Sequence, residues 1–468
     1  MNNIKLSLII LLFEIIEGKL LFVLHHFRHG SRGSVMLLKE NYEDFFGNKW
    51  YIKGELTEVG MRMSYILGYE TKQRYKNFLL NKYNPKDFLI YSTDLNRTLQ
   101  TAYSYIYGLF SNIENDKLNE EQIKASIPPN KLSNEILKEI KNLKDNPIKY
   151  NIPIIPVHVT NIKDHFFLLH DPESVSDCKP IWDLRIKTAK ENSFIQSFAE
   201  HFQSKYESKL RKYLDIKDNF DIFYIDVLCD HYISSKTNQS DLFKFHNITG
   251  IDEKEFEESC QNVLSIIMEK VVFWDKKITF MSQTHFVSKI IDWMERIIEK
   301  DKNENNNLND YSSPKFISFS AHDTSTSAFM MFMKEIFNCD FINPTFSASI
   351  FFELHKKDND LKGDLSDYYI KYFMNDKFML SIDFEKFKNE AIKHFWSDYE
   401  IEKFCEFKIV NVDEKNKKLK LYFLIIITLL LIIVFQLFFL FIIFRIKKEK
   451  NKKEDGIELE EKDQLKET

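Results

Sequence analysis

The sequence predicts an α/β fold: a mostly parallel central sheet flanked by helices, an inserted and mainly helical cap, and one C-terminal transmembrane helix. Three observations carry this. Short apolar runs at 19–27 (KLLFVLHHF), 88–92 (FLIYS) and 316–320 (FISFS) each lead into a loop of ionisable residues and then a helical pattern, the strand–loop–helix order of βαβ units. The intervening stretch, roughly 111–290, begins polar and rich in Lys and Asn, and from 184 to 275 reads as helices with loops, which suits a cap. Residues 421–444 (LYFLIIITLLLIIVFQLFFLFIIF) carry no charge. As a helix they reach about 36 Å, enough to cross a ~30 Å hydrocarbon core with some tilt.

Taken in order, residues 1–18 combine Lys5, an apolar run from Leu6 to Phe13 and the small Gly18, the pattern of a secretory signal peptide and too short to span a bilayer. A buried first helix is the alternative. The first strand enters a loop at Arg28. Thr57 and Glu58 then suit the N-terminus of a helix. FLIYS is followed by a helix from Arg97 to Phe110, and FISFS by a helix from Thr324 to Phe337 and a strand at 347–354 (SASIFFEL). After the span, residues 445–453 hold six positive charges and one negative, against four and two in 411–420. That excess places the tail, 445–468, in the cytoplasm and the body, 19–420, in a lumen or outside the cell. The chain reads as a single-pass type I membrane protein.

Composition narrows the function. With 65 Lys+Arg against 70 Asp+Glu the net charge is −5, which speaks against a surface-wide nucleic-acid footprint and leaves room for a local cationic pocket. Only 11 Gly and 10 Pro exclude collagen-like and linker-rich classes. Eight of those glycines precede residue 109, so specialised backbone geometry is expected there. Cys178, Cys229, Cys260, Cys339 and Cys405 all lie in the body, where disulfides are permitted, and an odd count leaves at least one outside an intrachain pair. No CxxC or Cys/His cluster suggests a metal site. Asn238-Gln-Ser240 and Asn247-Ile-Thr249 match the glycosylation pattern. Asn96-Arg-Thr98 also matches but crowds a candidate site and is expected to stay bare.

The three loops carry the chemistry. Arg28-His29-Gly30-Ser31-Arg32-Gly33 sets two arginines, a histidine and two glycines after a strand. Arginine forks bind phosphate bidentately, and glycine lets backbone approach a ligand. Taken alone, a basic surface turn explains it equally well. In Ser92–Thr98, Arg97 stands at a helix start, where amides favour an anion. Ser320-Ala321-His322-Asp323-Thr324 adds a histidine and a carboxyl at a third strand end. His25 and His26 read as packing or solvent-facing residues of the first strand, and Ser282–His285 as a cap before an amphipathic helix.

Together these segments (FRHGSR at 27–32, LTEVGMR at 56–62, YSTDLNRTLQTA at 91–102, PIIPVHV at 153–159 and FSAHDT at 319–324) resemble the histidine acid phosphatases, which include the prostatic and lysosomal enzymes. The resemblance runs from about Val23 to Cys405. It implies that His29 is the nucleophile that becomes phosphohistidine, that Arg28, Arg32, Arg97 and His322 hold the phosphoryl oxygens, and that Asp323 protonates the leaving group. No metal or other cofactor is implied, because arginines fill the electrostatic role. The chemistry is consistent: neutral imidazole is a competent nucleophile and guanidiniums stabilise the transferring group. The chain departs from the family in having Gly33-Ser34 where a proline is usual, and Ser349 where a cysteine is common. The resemblance pairs Cys178 with Cys405 and leaves the partner of Cys229 open. The expected function is a membrane-anchored acid phosphatase acting on phosphomonoesters, compatible with a homodimer, in a lysosomal, vacuolar or other endomembrane lumen or at the plasma membrane. The alternatives are a specialised phytase or lysophosphatidate phosphatase, or an inactive receptor or adhesion ectodomain on the same fold.

Overall fold

The computed structural model describes residues 18–35, 54–79, 83–111, 113–129, 133–160, 178–214, 219–238, 250–302, 314–357, 365–405 and 420–431, with positions 436, 440, 442 and 443. The expected signal segment up to residue 17, the sequon at Asn247 and the tail from 445 lie outside the described residues. The chain divides into two units, Met1–Phe407 and Lys408–Thr468.

In the first unit, β1 (Lys19–Arg28), β2 (Phe88–Thr93), β3 (His158–Thr160), β4 (Phe316–Ala321), β5 (Ser349–Lys356), β6 (Tyr368–Met374) and β7 (Lys377–Asp383) form one sheet in the order β3-β2-β4-β1-β5-β6-β7. The three expected strands are neighbours and parallel, with Arg28 opposite Ala321 and Ser92 opposite Ser320. All three loops therefore leave from the same carboxyl edge, where ligands of open α/β sheets bind. The sheet is mixed rather than mostly parallel. β5 runs antiparallel to β1, and β6 and β7 continue antiparallel. The physical reason lies in the connections. The interval 357–367 is shorter than a parallel crossover needs. Asn375 and Asp376, with φ of 46° and 63°, make a two-residue hairpin turn between β6 and β7.

Side chains alternate across β1, so one strand feeds two cores. Phe22 and Leu24 join Ile317, Phe319, Ile350 and Phe352 under helices Lys276–Lys302, Asp323–Phe337 and Phe384–Ile392. Val23 and Phe27 join Phe88, Ile90 and Phe316 under helix Asn96–Leu109. His25 stacks on Phe351, with ring centroids 4.1 Å apart, and bonds Tyr105 Oη at 2.9 Å; His26 packs on Phe286. Both are buried packing residues of β1.

Numbering the helices used below in chain order, α1 is Glu58–Arg74, α2 Asn96–Leu109, α3 Ser193–Leu214, α4 Ile222–Asn238, α5 Glu253–Ile266, α6 Lys276–Lys302 and α7 Asp323–Phe337. Thr57 caps α1 by accepting from Gly60 N. α1 and α2 touch through Gly68 and Gly108; a Cβ on either would strike the other helix's backbone. The predicted cap at Ser282–His285 instead lies inside α6, which begins at Lys276. α3, α4 and α5 pack around Phe202, Tyr206, Tyr232 and Phe256 and are tied by a Cys229–Cys260 disulfide. Cys178 pairs with Cys405 across a separation of 227 residues, and Cys339 is free and buried.

In the second unit, residues 420–431 are helical, and so are the described positions up to 443. Among the described residues no helix is long and apolar enough to cross a membrane.

Candidate active site

The three strand ends bring Arg28, His29, Arg32, Arg97, His322 and Asp323 into one crevice. Its floor is rigid because backbone holds it. His29 N donates to Ala321 O at 2.9 Å, Ser347 N to His29 O at 3.1 Å, and Arg28 N to Ala348 O at 2.9 Å. The departure at Gly33-Ser34 is stiffened the same way: Gly33 N donates to Glu55 O at 2.9 Å and Gly54 N to Ser34 O at 3.1 Å, around an Arg32–Leu56 bridge.

His29 is buried, and its Nδ1 lies 2.8 Å from Gly30 O. A carbonyl only accepts, so Nδ1 carries the proton and Nε2 keeps its lone pair. Burial, then the cations Arg28 and Arg32, hold the imidazole well below its ordinary pKa, so it is neutral. The His322 ring stands 5.6 Å away. Its Nδ1 lies 3.4 Å from Arg97 Nη2 and its Nε2 3.0 Å from Thr93 Oγ1. Guanidinium only donates, so Nδ1 is the acceptor and Nε2–H donates to Thr93. Burial and Arg97 lower this imidazole to about 3.

Arg28 Nη2 pairs with Asp323 Oδ2 at 2.5 Å, while Thr324 N donates to Asp323 Oδ1 at 2.8 Å. Burial pushes this carboxyl up, but Arg28 and Arg32 outweigh it and the net shift is downward. Arg28 Nη1 also donates to Pro344 O at 2.9 Å. Arg32 is held by Asp230, Nη2 to Oδ1 at 2.9 Å and Nη1 to Oδ2 at 3.2 Å. The Phe346 ring lies 4.5 Å from the Arg28 guanidinium and 5.8 Å from that of Arg32. The arrangement offers three cations for an anion, a neutral imidazole beside them and a carboxyl at the rim. Among the described residues no group of three or more His, Cys, Asp or Glu could hold a metal ion.

Sequence reasoning missed Asp230, Phe346 and Pro344. It read Asn238 as a glycan acceptor, and the structure corrects that. Asn238 Nδ2 donates to Arg32 O at 2.9 Å and to Ser234 O at 2.8 Å, while Oδ1 accepts from Ser31 Oγ at 2.9 Å and lies 2.6 Å from Thr57 Oγ1. A sugar on Nδ2 would break the anchorage of the loop that carries Arg32. The pattern Asn-x-Ser marked the right residue for the wrong role. Asn96 is exposed beside Arg97, with Nδ2 on Glu55 Oε1 at 3.0 Å. A cavity of about 820 Å³ lined in part by α1 and α2 contains none of the crevice residues.

Comparison with known proteins bears on the same residues. The pattern of the histidine phosphatase superfamily (branch 2) matches residues 22–375. Lysosomal acid phosphatase of Xenopus laevis is 35% identical over 108 residues, 22% of this chain and 24% of that protein. Prostatic acid phosphatase of Bos taurus is 33% identical over 117 residues, 23% of this chain and 30% of that protein. These alignments thus span between about a quarter and a third of the relatives' length. Hafnia alvei phytase in complex with myo-inositol hexakis sulphate superposes with a TM-score of 0.52 at 10% identity, covering 81% of this chain and 97% of the phytase. That likeness speaks for the fold alone.

Proposed function

This chain belongs to branch 2 of the histidine phosphatase superfamily, and from that premise we propose that it is an acid phosphatase that hydrolyses phosphomonoesters through a phosphohistidine intermediate. The observation that carries the reading is the Nδ1–Gly30 O bond of His29, which leaves a neutral Nε2 lone pair among three guanidiniums. Nε2 attacks phosphorus and the P–O ester bond breaks. Asp323, ionised in the free enzyme, takes up the proton that enters with the substrate monoanion and passes it to the departing alkoxide. Arg28, Arg32 and Arg97 hold the phosphoryl oxygens and offset their charge; His322, expected from the resemblance to share in this, has its ring nitrogens on Arg97 and Thr93 and serves here by steering Arg97. Water then attacks the phosphohistidine, its proton passes to the Asp323 carboxylate, and phosphate leaves. An inactive receptor would have no use for all six groups in one crevice.

The test is a rapid quench of the full-length chain into alkaline detergent, which preserves the acid-labile P–N bond, with a labelled aryl phosphate in the presence of a chelator. Label is expected on His29, and His29→Ala is expected to lose both label and nearly all turnover. Turnover at the wild-type rate in that variant would overturn the reading.

The same proposal includes anchorage. The uncharged run 421–444, with its basic C-terminal flank, supports a single span with the phosphatase body in a lumen. Relatives named lysosomal acid phosphatase support an acidic compartment. Protease added to sealed vesicles is expected to remove only the tail beyond residue 444. Digestion of the body from outside intact vesicles would overturn that topology.

A further inference from the structure

The leaving group must occupy the cavity next to the phosphoryl site, a space of about 180 Å³ bounded by Arg28 and Asp323. Its wall mixes apolar side chains, among them Met63 from α1, Ile233 from α4 and Phe346, with uncharged polar ones, Thr237, Gln261 and Asn343. Among the described lining residues only Arg28, Asp323 and Asp230 are charged. Arg28 and Asp323 are committed to the phosphoryl group and the leaving oxygen in the reading above, on which this inference rests. Asp230 is what remains.

Asp230 comes from the cap helix α4, its side chain 21% exposed, and grips the Arg32 fork with both oxygens. Asp230 also lines the cavity, so when a phosphoryl group takes its share of Arg32 the carboxylate is left on the wall that the leaving group meets. We propose that Asp230 makes this cavity a subsite for short leaving groups that carry an ammonium, and closes it to those that carry a second phosphate. A second phosphate would bring like charge against Asp230 with no described Lys, Arg or His in the cavity wall to offset it, beyond the Arg28 already engaged. An ammonium on a short stem meets opposite charge there, which Arg32 offsets less once a phosphoryl group shares its fork. The cavity volume suits a leaving group of a few heavy atoms.

The test uses three substrates on one carbon skeleton: 2-aminoethyl phosphate, 2-hydroxyethyl phosphate and 1,2-ethanediol bisphosphate. The full-length chain and its Asp230→Asn variant are compared by kcat/KM, so that intrinsic differences between leaving groups cancel in the ratio of ratios. The ammonium-to-bisphosphate ratio is expected to favour the amine in the wild type and to fall by about tenfold or more in Asp230→Asn, with the neutral substrate between them. A ratio that does not move, with all three substrates slowed alike, would make Asp230 a holder of Arg32 only and overturn the proposal. A wild type that prefers the bisphosphate would overturn it whether or not the variant folds. Absence of turnover on all three and on an aryl phosphate would instead remove the phosphatase reading itself, and the subsite with it.

Discussion

Gly30, in the loop after β1, and Gly60, in the first turn of α1, meet backbone to backbone: a Cβ on Gly30 would strike the Gly60 carbonyl, and one on Gly60 the Ser31 carbonyl. This contact sets how near α1 comes to the loop that carries His29 and Arg32. Gly60→Ala must push that loop away, at a cost of about 1–3 kcal/mol for a backbone forced to shift. Gly68→Ala creates a comparable clash with Tyr105 O, on the α1–α2 contact. Both variants are expected to melt lower, but only Gly60→Ala should lose more kcat/KM than its melting temperature explains. Equal losses of activity in the two would separate the glycine contact from the site.

Asn238 offers a second check on the same loop. In protein from a glycosylating host, mass spectrometry should find Asn238 unmodified, since its amide is consumed by Arg32 O and Ser234 O. Asn238→Ala leaves the Ser31 hydroxyl without its partner and should destabilise by about 1–3 kcal/mol, with kcat/KM on an aryl phosphate reduced roughly tenfold. A glycan on most molecules together with full activity would contradict this assignment.

The crevice was legible because each of its three parts follows an apolar run, and parallel strands send their ends to one edge. That common edge gathers Arg28, His29, Arg32, Arg97, His322 and Asp323, while the role expected of each came from the family resemblance. Asp230 and Phe346 were not legible. Their partners Arg32 and Arg28 are roughly 200 and 300 positions away, and an aspartate in a helix or a phenylalanine in an apolar stretch carries no local mark. Asn238 did carry one, but the sequon reports a possible modification, not where the amide points. The antiparallel half of the sheet escaped because alternation shows a strand's faces and not its direction; only Asn375-Asp376, between two apolar runs, hints at a hairpin.

The pH profile follows from which group brings the proton. Arg28 and Arg32 outweigh burial and hold Asp323 below its ordinary value, so in the free enzyme its folded pKa is depressed and the carboxyl is ionised above that point. One proton must still enter with the substrate, as the phosphate monoanion, whose second pKa is about 6. The alkaline limb of kcat/KM is therefore expected to follow the substrate: an aryl phosphate with a lower second pKa should shift the limb to lower pH by the same amount. His29, depressed by burial and its arginines, stays neutral well below pH 6.5 and should not limit activity in the mildly acidic range. A limb fixed at one pH for substrates of different pKa would assign it to an enzyme group instead.

Asp323→Asn tests the donor and the clamp together. An alkyl phosphate expels an alkoxide that needs a proton in the transition state, and general acids contribute about 10²–10⁴-fold to such steps. A nitrophenolate needs little protonation. Phosphoenzyme formation, read by rapid quench because breakdown of the intermediate can limit turnover, should fall by about that factor for the alkyl ester and much less for the aryl ester. Arg97→Ala should slow both alike, since it removes a contact to the phosphoryl group itself. The Arg28–Asp323 pair at 2.5 Å adds a second readout. Asparagine removes the anion that competes with phosphate for Arg28, so inorganic phosphate should inhibit Asp323→Asn more strongly than the wild type. Weaker or unchanged phosphate inhibition, with both esters slowed equally, would mean that Asp323 orients Arg28 and that the proton comes from elsewhere.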